Sequence, residues 1–355
     1  MAPKVFFLPD ELTTSGYIGG TAHAHIAQAH PEYEFTLLVR NEERAKPIKD
    51  KYPNTKFVYG SLDDAAVVER AAAEADIVVH TADSSDNVPG ATAIAKGLAA
   101  GHSAENPGYW IHVSGTSILT WYDNQHQRYG QGPLPEQKYH DMDDIQRLVT
   151  LPDGAHHRNV DKIVQAAISD AVKVAILCPP TIYGTGSGPV STRSRQVPDM
   201  VAGTLDKGFA PIVSPGLTEW DNVHVQDLGE LFVKLVEATQ DPSLRDNPEI
   251  FGLNGYFFAE NGSHRWSDVA RWIAEEASKQ GYLPEPMTKL VTQKEVELME
   301  GESTPSWGMN SKGIGQRASK YLGWKPRGPS LKEEIPSLVA QEAKARGFTP
   351  KEKKG

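Results

Sequence analysis

Cysteine is nearly absent: the 355-residue chain carries one, Cys178. A single thiol excludes an intramolecular disulfide and any multi-thiolate metal site. No apolar run approaches the roughly 18 residues of a membrane-spanning helix. The opening MAPKVFFLPDEL has only a short apolar stretch followed by acids, which is not a signal peptide. Basic clusters are lacking too. The formal net charge is −10, with acids and bases interspersed, and nucleic-acid binding needs clustered Lys and Arg. Twelve histidines are present, yet no H-E-x-x-H or Cys/His spacing organises them, so no metal is expected. There is neither a G-x-S-x-G elbow nor a Walker A loop. What is there is ordinary for a soluble globular enzyme, with 39% hydrophobic and 23% charged residues. The expectation is a cytoplasmic protein with a small-molecule ligand, no nucleic acid and no membrane.

The first half alternates short apolar runs with helical patterns. Strands are predicted at Lys4–Leu8, Phe35–Val39, Lys56–Tyr59, Asp76–His80, Tyr109–Ser114 and Val172–Leu177. Helices fall between them, among them Thr21–His30, Asp63–Glu74, Val88–Ala100 and Asn159–Ser169. This alternation predicts an α/β fold, a Rossmann-type doubly wound parallel sheet whose continuous apolar strands are buried on both faces. From about Ser187 longer helices alternate with Pro/Gly-rich loops, which predicts a smaller mixed C-terminal substrate subdomain. The expected division is a dinucleotide-binding domain over 1–186, a subdomain over 187–345 and a basic tail over 346–355. Residues 120–156, rich in Gly, Pro, His and Tyr, form a long segment expected to be functional or partly helical.

After the first strand comes Thr13-Thr14-Ser15-Gly16-Tyr17-Ile18-Gly19-Gly20 and then a helix. Glycines at a strand-to-helix turn let the backbone approach a pyrophosphate seated on the helix N-terminus. Arg40 ends the second strand and Arg44 follows one turn on. An arginine there suits the 2′-phosphate of NADP(H), where an acid would suit the ribose of NAD(H). Two solvated surface arginines are the alternative.

TSGYIGG resembles the TGYIGG segment of the short-chain dehydrogenase/reductase family, with Thr13 in place of a glycine and a turn lengthened over Pro9–Leu12. The resemblance continues along most of the chain. Val223-His224-Val225-Gln226-Asp227-Leu228 is similar to the V-H-V-x-D-L segment, and Leu322-Gly323-Trp324-Lys325-Pro326 to the L-G-W-x-P signature, of the extended, epimerase/dehydratase-like form. The resemblance implies that Leu62, Asp63, Thr81 and Ala82 line the cofactor. It places Thr116, with Ser114 just before it, where the family carries its catalytic Ser/Thr; a hydroxyl tying down a strand end is the alternative. Cys178-Pro179-Pro180-Thr181-Ile182-Tyr183-Gly184 resembles R-P-x-x-x-Y-G, which brings Pro179, Thr181 and Tyr183 near the nicotinamide. Cys178 ends an apolar strand and is expected to be buried and inert.

The family's Tyr-x-x-x-Lys aligns with Arg158 and Lys162, so the lysine is kept and the tyrosine is absent. A guanidinium stays protonated and cannot shuttle a proton, though it can stabilise an oxyanion. A replacement acid/base is sought in His157, Tyr183 or the long loop, since imidazole as a residue type titrates near neutrality; a helix-capping role is the alternative for His157. Two functions follow. One is an NADP(H)-dependent oxidoreductase, or an epimerase/dehydratase-type enzyme, on a small carbonyl- or hydroxyl-bearing metabolite. The other is a non-catalytic dinucleotide-binding redox sensor like the NmrA-type relatives of the family. A homodimer is implied by resemblance alone.

Overall fold

The structure, a computed structural model, describes residues 2–8, 15–301 and 303–351. The predicted glycine turn at Thr13, with Pro9–Leu12, and the side chain of Ser15 lie outside the described residues, as does the end of the basic tail.

Fourteen strands are described: β1 Lys4–Leu8, β2 Glu34–Val39, β3 Lys56–Tyr59, β4 Ile77–His80, β5 Gly108–Val113, β6 Lys138–His140, β7 Val172–Cys178, β8 Thr181–Tyr183, β9 Ala210–Val213, β10 Glu219–His224, β11 Tyr256–Phe258, β12 Ser263–Arg265, β13 Thr288–Val291 and β14 Lys312–Ile314. The helices are α1 Ser15–Ala29, α2 Glu42–Lys51, α3 Ala65–Glu74, α4 Val88–Gly101, α5 Trp121–His126, α6 Ile145–Val149, α7 Arg158–Ala166, α8 Gln196–Lys207, α9 Val225–Gln240, α10 Trp266–Lys279, α11 Gln293–Glu297, α12 Arg317–Leu322 and α13 Leu331–Ala345.

Seven strands form one parallel sheet in the order β11-β7-β5-β4-β1-β2-β3. The strand order reverses between β1 and β4, the switch point at which such sheets open a crevice for ligands. Alternation inside β1 fixes its two faces. Val5 and Phe7 pack with Ala22 and Ile26 of α1, whereas Phe6 and Leu8 pack with Val68 of α3 and Ile94 of α4. Burial of this size, roughly 1.5–3 kcal/mol per large apolar side chain, accounts for strands that read as unbroken apolar runs. The pair α3 and α4 approaches closely because Gly97 has no side chain; a Cβ there would stand 2.2 Å from the Glu69 carbonyl oxygen.

The second half does not stay in one place. Leu228, Leu231, Phe232 and Leu235 of α9 join the core over Val5 and Phe7, β11 extends the main sheet beside β7, and Ala318 and Leu322 of α12 pack on the same face. The remaining later elements, α8, α10 and α13 with β9, β10, β12 and β13, enclose a separate core around Met200, Ile273, Trp266 and Val339. The two signatures of the extended form meet here. Trp324 Nε1 donates to the Asp227 carbonyl at 2.9 Å, and the Asp227 carboxylate accepts the amides of Arg327 and Gly328. They act as a clasp between α9 and the chain leading to α13.

Residues 120–156 are ordered and hold α5, β6 and α6. Asp123, fully buried, accepts Gln137 Nε2 and both the amide and the Nδ2 of Asn310 at 2.6–2.8 Å. β6 pairs in parallel with β14. The segment is therefore tied to the C-terminal half and walls a cavity. Among the described residues no helix is long and apolar enough to cross a membrane.

Candidate active site

A cavity of about 640 Å³ opens where the carboxyl ends of β4, β5 and β7 face α8, β10 and the segment before β14. Three turns of the Rossmann unit supply its chemistry. After β4, Ser84 Oγ donates to the Val113 carbonyl at 2.5 Å and Asp83 adopts a left-handed φ of +42°, which turns Ser85 and Asp86 into the cavity. After β5 come Gly115, Thr116 and Ser117. At the start of α7, His157 takes φ +67°, a conformation costly to a residue with a Cβ. Its side chain makes no capping bond to its helix and points into the cavity instead.

These turns converge on one imidazole. His157 Nδ1 lies 2.8 Å from Asp86 Oδ1, and His157 Nε2 lies 2.5 Å from Ser117 Oγ. A carboxylate only accepts, so Nδ1 donates to Asp86; in the neutral ring Nε2 then accepts from the Ser117 hydroxyl. His156 lies against His157 with ring centroids 3.8 Å apart and the rings tilted by 36°, and it reaches Ser117 Oγ at 3.3 Å. Burial works against the ionised form of Asp86, but the hydrogen bond from His157 and the two nearby imidazoles outweigh it and hold its carboxyl below the usual range. Burial lowers the pKa of His156, and His157 adds to the effect. Gly115 makes room for the ring: a Cβ there would stand 3.4 Å from His157 Nε2.

Thr116 lies beside this relay. Its backbone is pinned, the amide donating to the Pro179 carbonyl at 3.1 Å and the carbonyl accepting from Ser311 Oγ at 2.6 Å. Its Oγ1 is buried without a partner among the described residues, and the residue lines the cavity. A buried hydroxyl without a partner is costly, and a ligand oxygen at that point would satisfy it.

Helix α7 turns its two expected site residues elsewhere. Arg158 is buried away from the cavity, donating to the carbonyls of Leu151 and Val149 and to Gln165 Oε1. Lys162 is half-exposed and pairs with Asp153 at 2.8 Å. The residues one position earlier occupy the inward face: His157 in the cavity and, one turn on, Asp161 beneath it. Asp161 accepts Tyr256 OH at 3.0 Å, and full burial raises its pKa. Ser114 is buried below the cavity floor, and Tyr183 donates to the Pro329 carbonyl at 2.8 Å with burial raising its pKa. Cys178 is buried, and desolvation raises its pKa far above that of an ordinary thiol. Asp86 and Ser117 escaped the sequence reading. The polar turn Ser84-Ser85-Asp86-Asn87 after the fourth strand was the one available signal.

The residues expected to bind the cofactor spread along the same edge. Tyr17, Ile18 and Pro179 line the cavity, and Tyr17 OH donates to the Gly184 carbonyl at 2.7 Å. Gly16 and Gly19 share a smaller recess with Arg44, under Pro189 and Val190. Arg40 and Asp63 are exposed, and Leu62 lies against the first turn of α4 at Gly90. Thr81 Oγ1 donates to the Leu8 carbonyl at 3.2 Å and so ties β4 to β1, with Ala82 buried beside it. Thr181 has a buried hydroxyl without a partner among the described residues. Tyr17, Ile18 and Pro179 line the cavity at the carboxyl edge of the parallel sheet, where such sheets bind a dinucleotide.

Sheet and switch point together define a Rossmann-type, dinucleotide-binding α/β protein. The sequence profile described as NAD(P)H-binding matches residues 14–182. Oxidase ucsJ of Acremonium sp. is 34% identical over 342 residues, covering 94% of this chain and 97% of that protein. Among solved structures, dTDP-glucose 4,6-dehydratase DesIV of Streptomyces venezuelae, with NAD and TYD bound, superposes with a TM-score of 0.64 at 16% identity, over 97% of this chain and 98% of that one. UDP-glucose 4-epimerase of Thermotoga maritima, with UDP-glucose, gives 0.61 at 15% over 97% and 99%. The chain belongs to the same family as oxidase ucsJ, carries an NAD(P)H-binding region, and shares the fold of these dehydratase and epimerase structures.

Proposed function

We propose that the protein is an NADP(H)-dependent oxidoreductase acting on a carbonyl or secondary alcohol, with His157 as its acid/base in place of the family's tyrosine. The observation that carries this is the Asp86–His157–Ser117 relay, which ends in the cavity beside the unpartnered hydroxyl of Thr116. Bound nicotinamide supplies or accepts the hydride. Thr116 Oγ1 donates to the substrate oxygen and holds it. In reduction the proton leaves His157 Nε2 for that oxygen, directly or through Ser117 Oγ; in oxidation Nε2 takes it back. Asp86 fixes the tautomer and stabilises the imidazolium, while Tyr17, Ile18 and Pro179 shape the wall around the nicotinamide. The adjoining His157-x-x-x-Asp161 face is the charge-inverted counterpart of a tyrosine and lysine: a base that becomes a cation stands above an acid.

The preference for the 2′-phosphorylated cofactor rests on Arg44, which shares the recess of Gly16 and Gly19. Calorimetric titration tests it. NADPH is expected to bind at least tenfold more tightly than NADH, and Arg44→Ala is expected to abolish most of that difference. Equal affinities in the wild type would overturn the preference. Tight dinucleotide binding without turnover of any carbonyl or alcohol would move the protein to the redox-sensor class.

A further inference from the structure

The walls of the active-site cavity carry few cationic groups and present aromatic rings, and this narrows the substrate. We infer that the substrate is an uncharged ketone or secondary alcohol with an aromatic or fused-ring body, and not a nucleotide-linked sugar; this rests on reading the cavity as the hydride-transfer site.

Charge argues first. Among the described residues the cavity is lined by two carboxylates, Asp86 and Glu297, and one guanidinium, Arg195. A nucleotide diphosphate brings a dianionic bridge that calls for clustered cationic donors, and the basic residues on the neighbouring segments are engaged elsewhere. Arg128 is held by Asp123 and the Gly132 carbonyl, Arg193 by Glu342 and Asp199, and Lys312 by Asp221.

Polar satisfaction argues next. Several lining amides and hydroxyls distal to the relay are bonded to protein groups, while Ser194 Oγ and Gln293 Oε1 are buried without a partner among the described residues. Gln196 Nε2 donates to Ser306 Oγ at 3.0 Å, Ser303 Oγ to Asp199 at 2.5 Å, and Gln293 Nε2 to Glu297 at 2.9 Å. The aromatic walls are settled in the same way. Trp220 Nε1 donates to the Met309 carbonyl at 2.7 Å, Trp121 Nε1 to Tyr139 OH at 3.2 Å, and Tyr129 OH to Asn124 Oδ1 at 3.0 Å. The half-buried rings of Trp121 and Tyr129 and the side chain of Met309 are left to face a ligand, while Thr116, Ser117 and His157 form a polar point at one end. Such a cavity takes a flat apolar body and orients it by one oxygen.

Quenching of tryptophan fluorescence, with and without NADP+, tests the assignment using 2-acetylnaphthalene and UDP-glucose as probes. The naphthyl ketone is expected to bind at least tenfold more tightly than UDP-glucose. Trp121→Ala is expected to weaken ketone binding at least fivefold with NADPH affinity unchanged; Tyr129→Ala, on a loop, repeats the test should the first variant melt early. UDP-glucose binding as tight as the ketone overturns the inference, as does the absence of ketone binding or ketone binding indifferent to both substitutions. Ketone binding that responds to the substitutions but brings no NADPH oxidation upholds the ligand class and overturns the hydride-transfer reading. Turnover of the ketone alongside tighter UDP-glucose binding does the reverse.

Discussion

His157 is held in an unfavourable backbone conformation by a side chain bonded at both ring nitrogens. A left-handed φ on a β-carbon-bearing residue costs on the order of 1–3 kcal/mol, and it places the ring between Asp86 and Ser117. General acid–base catalysis contributes about 10²–10⁴-fold, so His157→Gln is expected to lower turnover by at least 100-fold with NADPH affinity unchanged. Asp86→Asn keeps the shape but presents an amide that can donate, which disfavours the tautomer with a free Nε2; a loss of at least tenfold is expected. Steady-state rates beside calorimetric affinities check both, and turnover within twofold of wild type for His157→Gln would sink the assignment. At this scale the sequence was half legible. Thr116 and His157 stand in the segments that family resemblance marks. Asp86 does not, because 71 residues separate it from His157 and only the folded turn after β4 joins them.

Helix α7 shows what a one-residue register shift does. Alignment on the lysine puts Arg158 and Lys162 at the site, yet neighbouring positions on a helix point about 100° apart. The inward face is taken by His157 and Asp161, while Arg158 is held by two carbonyls of the preceding loop. The expected outcome is a reversal of the usual family pattern. Lys162→Ala leaves melting temperature and turnover essentially unchanged, because its ion pair with Asp153 is exposed. Arg158→Ala orphans the buried carbonyls of Val149 and Leu151 and costs about 2–4 kcal/mol, measured as a lower denaturant midpoint. A large loss of turnover in Lys162→Ala, with nucleotide binding weakened, would restore the lysine to the site. The alternating strands and helices of the first half were legible because buried parallel strands are long apolar runs. β6, β11 and β14 were not: three residues are too few to show a period, and their partners lie far off in the chain.

The whole molecule is built by a chain that crosses between two cores, and both cores bury histidines that cannot ionise there. Burial lowers the pKa of His23 to about 4, and those of His80 and His264 to about 3. Unfolded, each would titrate near 6.5. Above that value neither state takes a proton and nothing is lost. As the pH falls below 6.5 the unfolded chain takes up protons that the native state refuses, so stability declines by about 1.4 kcal/mol per pH unit for each histidine. At pH 5 this amounts to about 2 kcal/mol apiece, a large share of the 5–15 kcal/mol typical of a folded domain. His23 is the one to replace. Its ring sits against Phe7, Phe35 and Tyr52 at centroid distances of 5.4, 5.0 and 4.6 Å, and its Nε2 has no partner among the described residues. An apolar side chain therefore leaves no hydrogen bond broken. Urea denaturation at pH 7 and pH 5 is expected to show His23→Leu losing about 2 kcal/mol less than the wild type over that interval. Equal losses in the two proteins would mean that the His23 ring takes up its proton in the folded state, and that acid sensitivity arises from other groups, His80 and His264 among them.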